Sequence, residues 1–286
     1  MATPVDNYEF AFNGWLFGGP GQGVQVLEVS GLEDLPELRV QDDTRGFQDG
    51  MFTGRDFLSG RTVSFTLQVM NDSAGTMQTY LAELKANLQF QQSGTGTLQF
   101  QLPGRALQRL SARVRRRALK IDPDYTYGRS YATVELFCPD PRIYDDTETL
   151  IGLNPTSQVG RVYDRTYNLV YTSPSGSTSS FATASNAGNV TVYPVITLTG
   201  AMTSPIVVNS TTGQSIPINL TMSAADTLVI DPDLRSVTYN GLPARNLVSN
   251  AAQWFGFPPG NTTIGIIATT ASSSAQCQIT YRNGYV

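Results

Sequence analysis

Only one stretch of this 286-residue chain carries helical spacing; nearly everything else is short, alternating apolar segments broken by turn signals. That rhythm restricts the chain to mainly β architectures. Arg61 to Met70 sets Val63, Phe65, Leu67 and Val69 on one face and Thr62, Ser64, Thr66 and Gln68 on the other, the pattern of a half-buried strand. Asn13-Gly14 between Glu9–Phe12 and Gly14–Phe17 is a two-residue hairpin signal. Val24, Val26 and Val29 follow a second glycine turn. Asn71-Asp72-Ser73 offers N-cap chemistry, and Met77, Tyr80, Leu81, Leu84 and Leu88 then recur at helical intervals, which predicts the single helix over about residues 73–90. Strands resume at Thr97–Leu102. Leu110–Ile121 and Ser130–Phe137 read as a pair joined around Asp122-Pro123-Asp124. Residues 1–145 are thus expected to form a β-rich domain with one helix.

Residues 146–188 are expected to be a linker or extended loop, because Thr172–Gly188 is rich in Ser, Gly and Ala with little apolar content. Beyond it, residues 189–286 show short strands at regular spacing: Thr191–Leu198, Ile206–Val208, Ile216–Met222, Thr227–Ile230, Ser236–Tyr239, Thr262–Thr269 and Ala275–Tyr281. Turn signals at Thr212-Gly213, Asp231-Pro232-Asp233, Asn240-Gly241 and Pro258-Pro259-Gly260 separate them, which predicts an all-β sandwich or jelly roll.

Composition then narrows the chemistry. The chain has no histidine, which removes Ser-His-Asp and Cys-His catalysis, His-ligated zinc and histidine pH switching. Its two cysteines, Cys138 and Cys277, form no CxxC pair and are expected to be unpaired core thiols. No cofactor or metal is called for, and the acidic turns lack EF-hand spacing for calcium. Asp6 and Glu9 stand where a signal peptide would be basic and then apolar, so no secretory signal is expected; the five N-x-S/T matches are read as chance. No apolar run approaches the ~18 residues of a membrane span. A net charge of −4 makes the chain a poor general nucleic-acid binder.

The charge is unevenly spread. Residues 1–56 carry ten acids and three bases, whereas residues 105–129 carry eight bases and two acids. Arg113, Arg115, Arg116, Arg117 and Lys120 form the densest basic cluster, a candidate contact with an acidic surface of a neighbouring subunit or partner protein, or else a solvated strand face. Gly18–Gly23 is read as a turn between strands, because β-like Val24–Leu27 rather than a helix follows it. The carboxylate pairs Asp42-Asp43, Asp145-Asp146 and Asp231/Asp233 sit beside turn residues and are read as turns or caps rather than a glycosidase pair, so no catalytic residue is assigned. Trp254, Phe255 and Phe257 are candidate saccharide contacts, with burial in the sandwich core as the competing reading.

Five stretches in order carry a resemblance. They are Phe12-Asn13-Gly14-Trp15-x-Phe17-Gly18; Gly31-Leu32…Pro36-x-x-Arg39-x-x-Asp42 with Asp49-Gly50 and Asp56…Ser59-Gly60-Arg61-Thr62-Val63; the single helix; Glu135–Tyr144, containing Cys138-Pro139-Asp140-Pro141-Arg142; and Leu228–Gly241, containing Asp231-Pro232-Asp233-Leu234-Arg235. Together they resemble the distal tail protein (Dit) family of long-tailed, non-contractile bacteriophages. The resemblance implies a non-enzymatic virion structural protein at the tail tip, made and assembled in the host cytoplasm. It implies an N-terminal domain that assembles as a homo-hexameric ring joining the tail tube protein to the tail-tip hub or fibre protein. It also implies a galectin-like or jelly-roll C-terminal domain outside the ring. The alternatives are a tail-tip receptor-recognition protein whose second domain binds host cell-surface saccharide, and a secreted glycan-active enzyme. The latter lacks both a signal sequence and an identifiable acid/base set.

Overall fold

The computed structural model describes residue 4 and residues 8–19, 21–70, 74–157 and 180–286. The N-cap expected at residues 71–73 and residues 172–179 of the Ser-rich stretch lie outside the described residues. The chain divides into two compact units, the first Met1–Asp146 with Tyr285–Val286, the second Thr147–Gly284.

The first unit opens with β1 (Phe10–Phe12), β2 (Trp15–Phe17) and β3 (Val24–Ser30). Four two-residue strands follow: β4 (Leu38–Arg39), β5 (Asp43–Thr44), β6 (Met51–Phe52) and β7 (Phe57–Leu58). Then come β8 (Arg61–Met70), helix α1 (Ala74–Asn87), β9 (Gly96–Phe100), β10 (Gln108–Lys120), β11 (Arg129–Cys138) and β12 (Ile143–Asp145). The main sheet runs β2-β1-β9-β10-β11-β8-β3 through antiparallel pairs. Asn13 and Gly14 both have positive φ (52° and 83°), and Phe12 pairs with Trp15, so the dipeptide makes the expected two-residue hairpin. The uneven spacing of the three valines in β3 is a β-bulge between Val26 and Glu28, which returns Val29 to the core face opposite Phe65.

Helix α1 buries Met77, Leu81 and Leu84, with Leu88 just past its end, against the same core as β8, so the stripe packs on its own sheet. Phe10, Phe17, Phe65 and Phe100 form the centre of that core, with Phe10 and Phe65 meeting edge-to-face at 5.1 Å. Tyr285 completes the unit, packing against this core and donating its hydroxyl to Asp145 Oδ2 at 3.4 Å.

The second unit is all strand apart from a single 3₁₀ turn among its described residues. It contains β13 (Thr149–Leu153), β14 (Thr156–Ser157), β15 (Phe181–Asn186), β16 (Val195–Thr199), β17 (Met202–Thr203), β18 (Ile206–Asn209), β19 (Gln214–Pro217) and β20 (Thr221–Met222). These are followed by β21 (Thr227–Asp231), β22 (Ser236–Tyr239), β23 (Leu242–Pro243), β24 (Gly260–Ala268), β25 (Thr270–Ala271) and β26 (Gln276–Tyr281); β27 (Gly284–Tyr285) ends the chain's strands. One sheet runs β13-β26-β16-β21-β22-β23, and another β14-β24-β18-β19 with β15 on β24. Two rows of paired side chains cross the first sheet: Ile151, Ile279, Ile196, Ile230 and Val237, and then Leu153, Cys277, Leu198 and Leu228. Across from them Val207, Ile216, Ile264 and Ile266 supply the other inner face.

The stretch expected to be a linker, residues 146–188, is therefore partly structural: Thr149–Leu153 and Phe181–Asn186 are strands of the second unit. In β15 the inward residues are small or polar. Ala184 is fully buried, Asn186 donates to the carbonyls of Val190 and Phe257, and the Phe181 ring occupies the place of a side chain at Gly265. A strand that fits by being thin shows little apolar periodicity.

Candidate docking surfaces

The basic cluster lies on β10, but the structure divides it between two faces. A bulge between Val114 and Arg116 shifts the register against β11 and flips the parity of everything after it. Arg117 therefore stands opposite buried Val134 on the helix side of the sheet. Its Nη1 donates to the carbonyls of Lys85 and Leu88 at 2.7 and 2.9 Å, closing the C-terminal end of α1. Arg117 is thus a helix cap and does not share a face with the other basic residues.

The other basic residues occupy the opposite face. Arg116 pairs with Glu135 at 3.3 Å across the strands, and Lys120 with Asp122 at 3.0 Å. The Lys120 ammonium lies 5.8 Å from the Tyr131 ring, and the Asp122 hydrogen bond raises its pKa. Arg113 and Arg115 have no ion-pair partner among the described residues. Their guanidinium carbons lie 5.7 and 4.6 Å from the centroid of one ring, Phe137, and Arg113 Nε is buried without an acceptor. Two guanidiniums thus share one aromatic ring with no ion pair to a carboxylate among the described residues.

Between β3 and β8 the chain leaves the core in an arm that the sequence reading did not single out. Residues 37–57 are exposed without interruption. The arm is nevertheless ordered: β4 pairs with β7 and β5 with β6, Gly54 N–H donates to Asp42 Oδ1 at 2.9 Å, and Arg39 and Arg55 flank the Phe57 ring. Its root is clasped by Arg61, which is only 3% exposed. Arg61 Nη1 donates to the carbonyls of Gly31, Leu32 and Asp34 at 3.0, 2.6 and 2.8 Å, and Nε donates to Pro141 O at 3.1 Å. Desolvation lowers the pKa of this guanidinium, against the raising influence of Cys138, Glu33 and Asp34. Gly31 has φ +79° and lies against the Thr62 carbonyl, where a Cβ would overlap it. Gly31, Arg61 and Pro141, distant in sequence, thus build one joint.

The aromatic cluster of the second unit is mostly core. Phe255 and Phe257 are 2% and 0% exposed, and Phe257 meets Tyr281 edge-to-face at 5.2 Å, so neither can stack on a saccharide. Trp254 is partly exposed, but the Arg245 guanidinium lies 4.7 Å from its ring. Two of the carboxylate pairs ligate backbone nearby, Asp231 Oδ1 accepting from the N–H groups of Asp233 and Leu234 and Asp43 Oδ1 from Thr44, whereas Asp145 and Asp146 accept from the side chains of Tyr285 and Gln99. Gly18–Gly23 turns directly into β3, with Gly18 N–H donating to Val24 O at 2.9 Å. Among the described residues no His, Cys, Asp or Glu cluster of three is placed to hold a metal, and no helix is long and apolar enough to cross a membrane.

Residues 187–285 match the family model SPP1_Dit, described as siphovirus-type tail component, C-terminal domain. Over those residues the second unit is similar to a siphovirus-type tail component domain. The resemblance to Dit proteins in the sequence is borne out by that match, and the expected mainly β fold by the strands described above. SPP1 Dit (gp 19.1), whose crystal structure is described as a paradigm of the hub adsorption apparatus in phages infecting Gram-positive bacteria, superimposes with a TM-score of 0.67 at 14% identity, over 97% of this chain and 99% of that one. A chain of the phage P2 baseplate, in its activated conformation with Ca, gives a TM-score of 0.52 at 10% identity over 97% and 98%. At such identities the shared property is the fold. No curated protein matches the sequence.

Proposed function

We propose that this protein is a Dit-like structural component of a siphophage tail hub, located at the tail tip. In this reading six copies close a ring through the first unit and join the tail tube protein to the tail-tip hub or fibre protein. The observation that carries the proposal is the agreement of the two units: a siphovirus tail-component domain over residues 187–285, within a chain whose fold follows SPP1 Dit from end to end. A closed ring needs two different, complementary patches on each copy. The unpaired Arg113 and Arg115, with Arg116 and Lys120 alongside, supply one candidate patch, and an acidic patch on the neighbouring copy or adjacent tail protein would complement it.

The saccharide-binding alternative loses support, because two of its three aromatic residues are core. The test is the solution mass of the full chain by light scattering, with electron microscopy of the same fraction. A mass of six subunits and ring-shaped particles are expected. A monomer across protein concentrations and salt, both alone and mixed with its tail tube protein, would overturn the ring.

A further inference from the structure

We infer that the arm, residues 33–58, is the complementary patch: it docks on the Arg113–Arg115–Phe137 surface of a second copy of this chain. The inference rests on the ring reading and names the residues that would close it. Leu35, Leu38, Val40, Phe47, Met51, Phe52 and Phe57 are all exposed on the arm, and Phe47 is 104% exposed. A monomer rarely leaves so many large apolar side chains together in water. The arm also has no core of its own, and a two-stranded ribbon standing alone is marginal in water. Yet its root is fixed by a buried arginine, so the arm is anchored rather than loosely tethered.

The charge selects the occupant. Residues 33–57 carry seven acids against three arginines. That sign is repelled by nucleic acid and by anionic bilayers, and it matches the surface where two arginines flank one ring without a carboxylate. The chemistry of the two surfaces agrees as well: Phe52 and Phe57 hold the arm's own arginines, and the arm offers the Phe47 ring and its carboxylates to guanidiniums. Each arm leg is about ten residues, a reach of up to ~33 Å at the rise of an extended strand. Arm and basic surface are different patches of one chain, which makes the contact head-to-tail and compatible with ring closure.

The experiment uses the full chain with a photo-crosslinking benzoyl-phenylalanine in place of Phe47. Irradiation is expected to give an inter-chain adduct that maps to residues 108–120 or 129–138 of the second copy. Arg113→Glu with Arg115→Glu should lower its yield at least fivefold, and adding Asp49→Arg with Asp56→Arg should restore it. All four side chains lie outside the cores, so the unfolding midpoint serves as a folding control. Rings by microscopy without the adduct, or with an adduct mapping elsewhere, would refute the arm's role while leaving the ring intact. Monomers without any adduct would refute both. Sedimentation of the chain with phosphatidylglycerol vesicles, abolished by Phe47→Ser with Phe52→Ser, would make the arm a membrane finger and overturn the inference.

Discussion

Replacing Arg61 with methionine tests how the arm is held. The side chain is buried; its Nε–H donates to Pro141 O, and the two hydrogens of Nη1 are shared among three carbonyls at the root of the arm. Methionine fills the volume but leaves four carbonyls facing an apolar chain. Hydrogen bonds from a charged donor contribute about 1.5–3 kcal/mol each when buried, and only the bond to Leu32 O is fully so. Taking about 2 kcal/mol for that bond and about 0.5–1 for each of three carbonyls that gain water, then subtracting the guanidinium's own desolvation, leaves a loss of about 3 kcal/mol. The two tryptophans fall one in each unit, so a Trp254→Phe background lets Trp15 fluorescence follow the first unit alone. With a urea m-value of about 2 kcal/mol/M, the midpoint should fall by about 1.5 M at constant m. Trypsin should also cut faster at Arg39, Arg45 and Arg55. Arg61→Lys, which keeps the charge without the planar fork, should lose about half as much. A midpoint within 0.3 M of the parent (roughly 0.6 kcal/mol at that slope) with unchanged arm cleavage would refute the clasp.

Other consequences follow from the same structure. Arg117→Ala removes the two bonds that close α1 and should cost about 1–2 kcal/mol in thermal or urea unfolding, while Arg115→Ala, exposed on the other face, should stay within about 0.5–1 kcal/mol. Hydrogen bonds from Tyr239, Ser223 and Asn240 hold the Asp226 carboxyl at about 2, below its ordinary 3.8. Its contribution is therefore present above pH 4 and disappears as pH falls through about 2; NMR titration should report the low pKa, and Asp226→Asn should flatten that limb of the stability profile. Burial pushes both thiols up to about 12, so Cys138 and Cys277 should ignore a disulfide reagent at pH 8 and react together in denaturant.

The elements legible in the sequence were those with one wet and one dry face. β8 shows strict alternation because every second residue enters a core, and even the bulge in β3 is written in the spacing of its valines. The helix was legible because Met77, Leu81, Leu84 and Leu88 all serve one contact. β15 was not, because its inward positions are alanine and a satisfied asparagine, whose burial leaves no apolar signal. The arginine run looked like one patch because parity after a bulge depends on the partner strand, which sends Arg117 to the helix and leaves Arg113 and Arg115 outside. In the run Trp254 to Phe257 the phenylalanines alternate inward around Gly256, which packs on the Val192 carbonyl; composition alone gives no sign of which face that is. The arm's joint was invisible for a different reason: its three parts meet only after the sheet has formed.

The return of Tyr285 to the first unit sets an order on biosynthesis. On the ribosome, residues 147–284 are all synthesised before the tyrosine that hydrogen-bonds Asp145. β26, which lies between β13 and β16, precedes Tyr285 by only a few residues, so a chain cut short before it leaves both units unfinished.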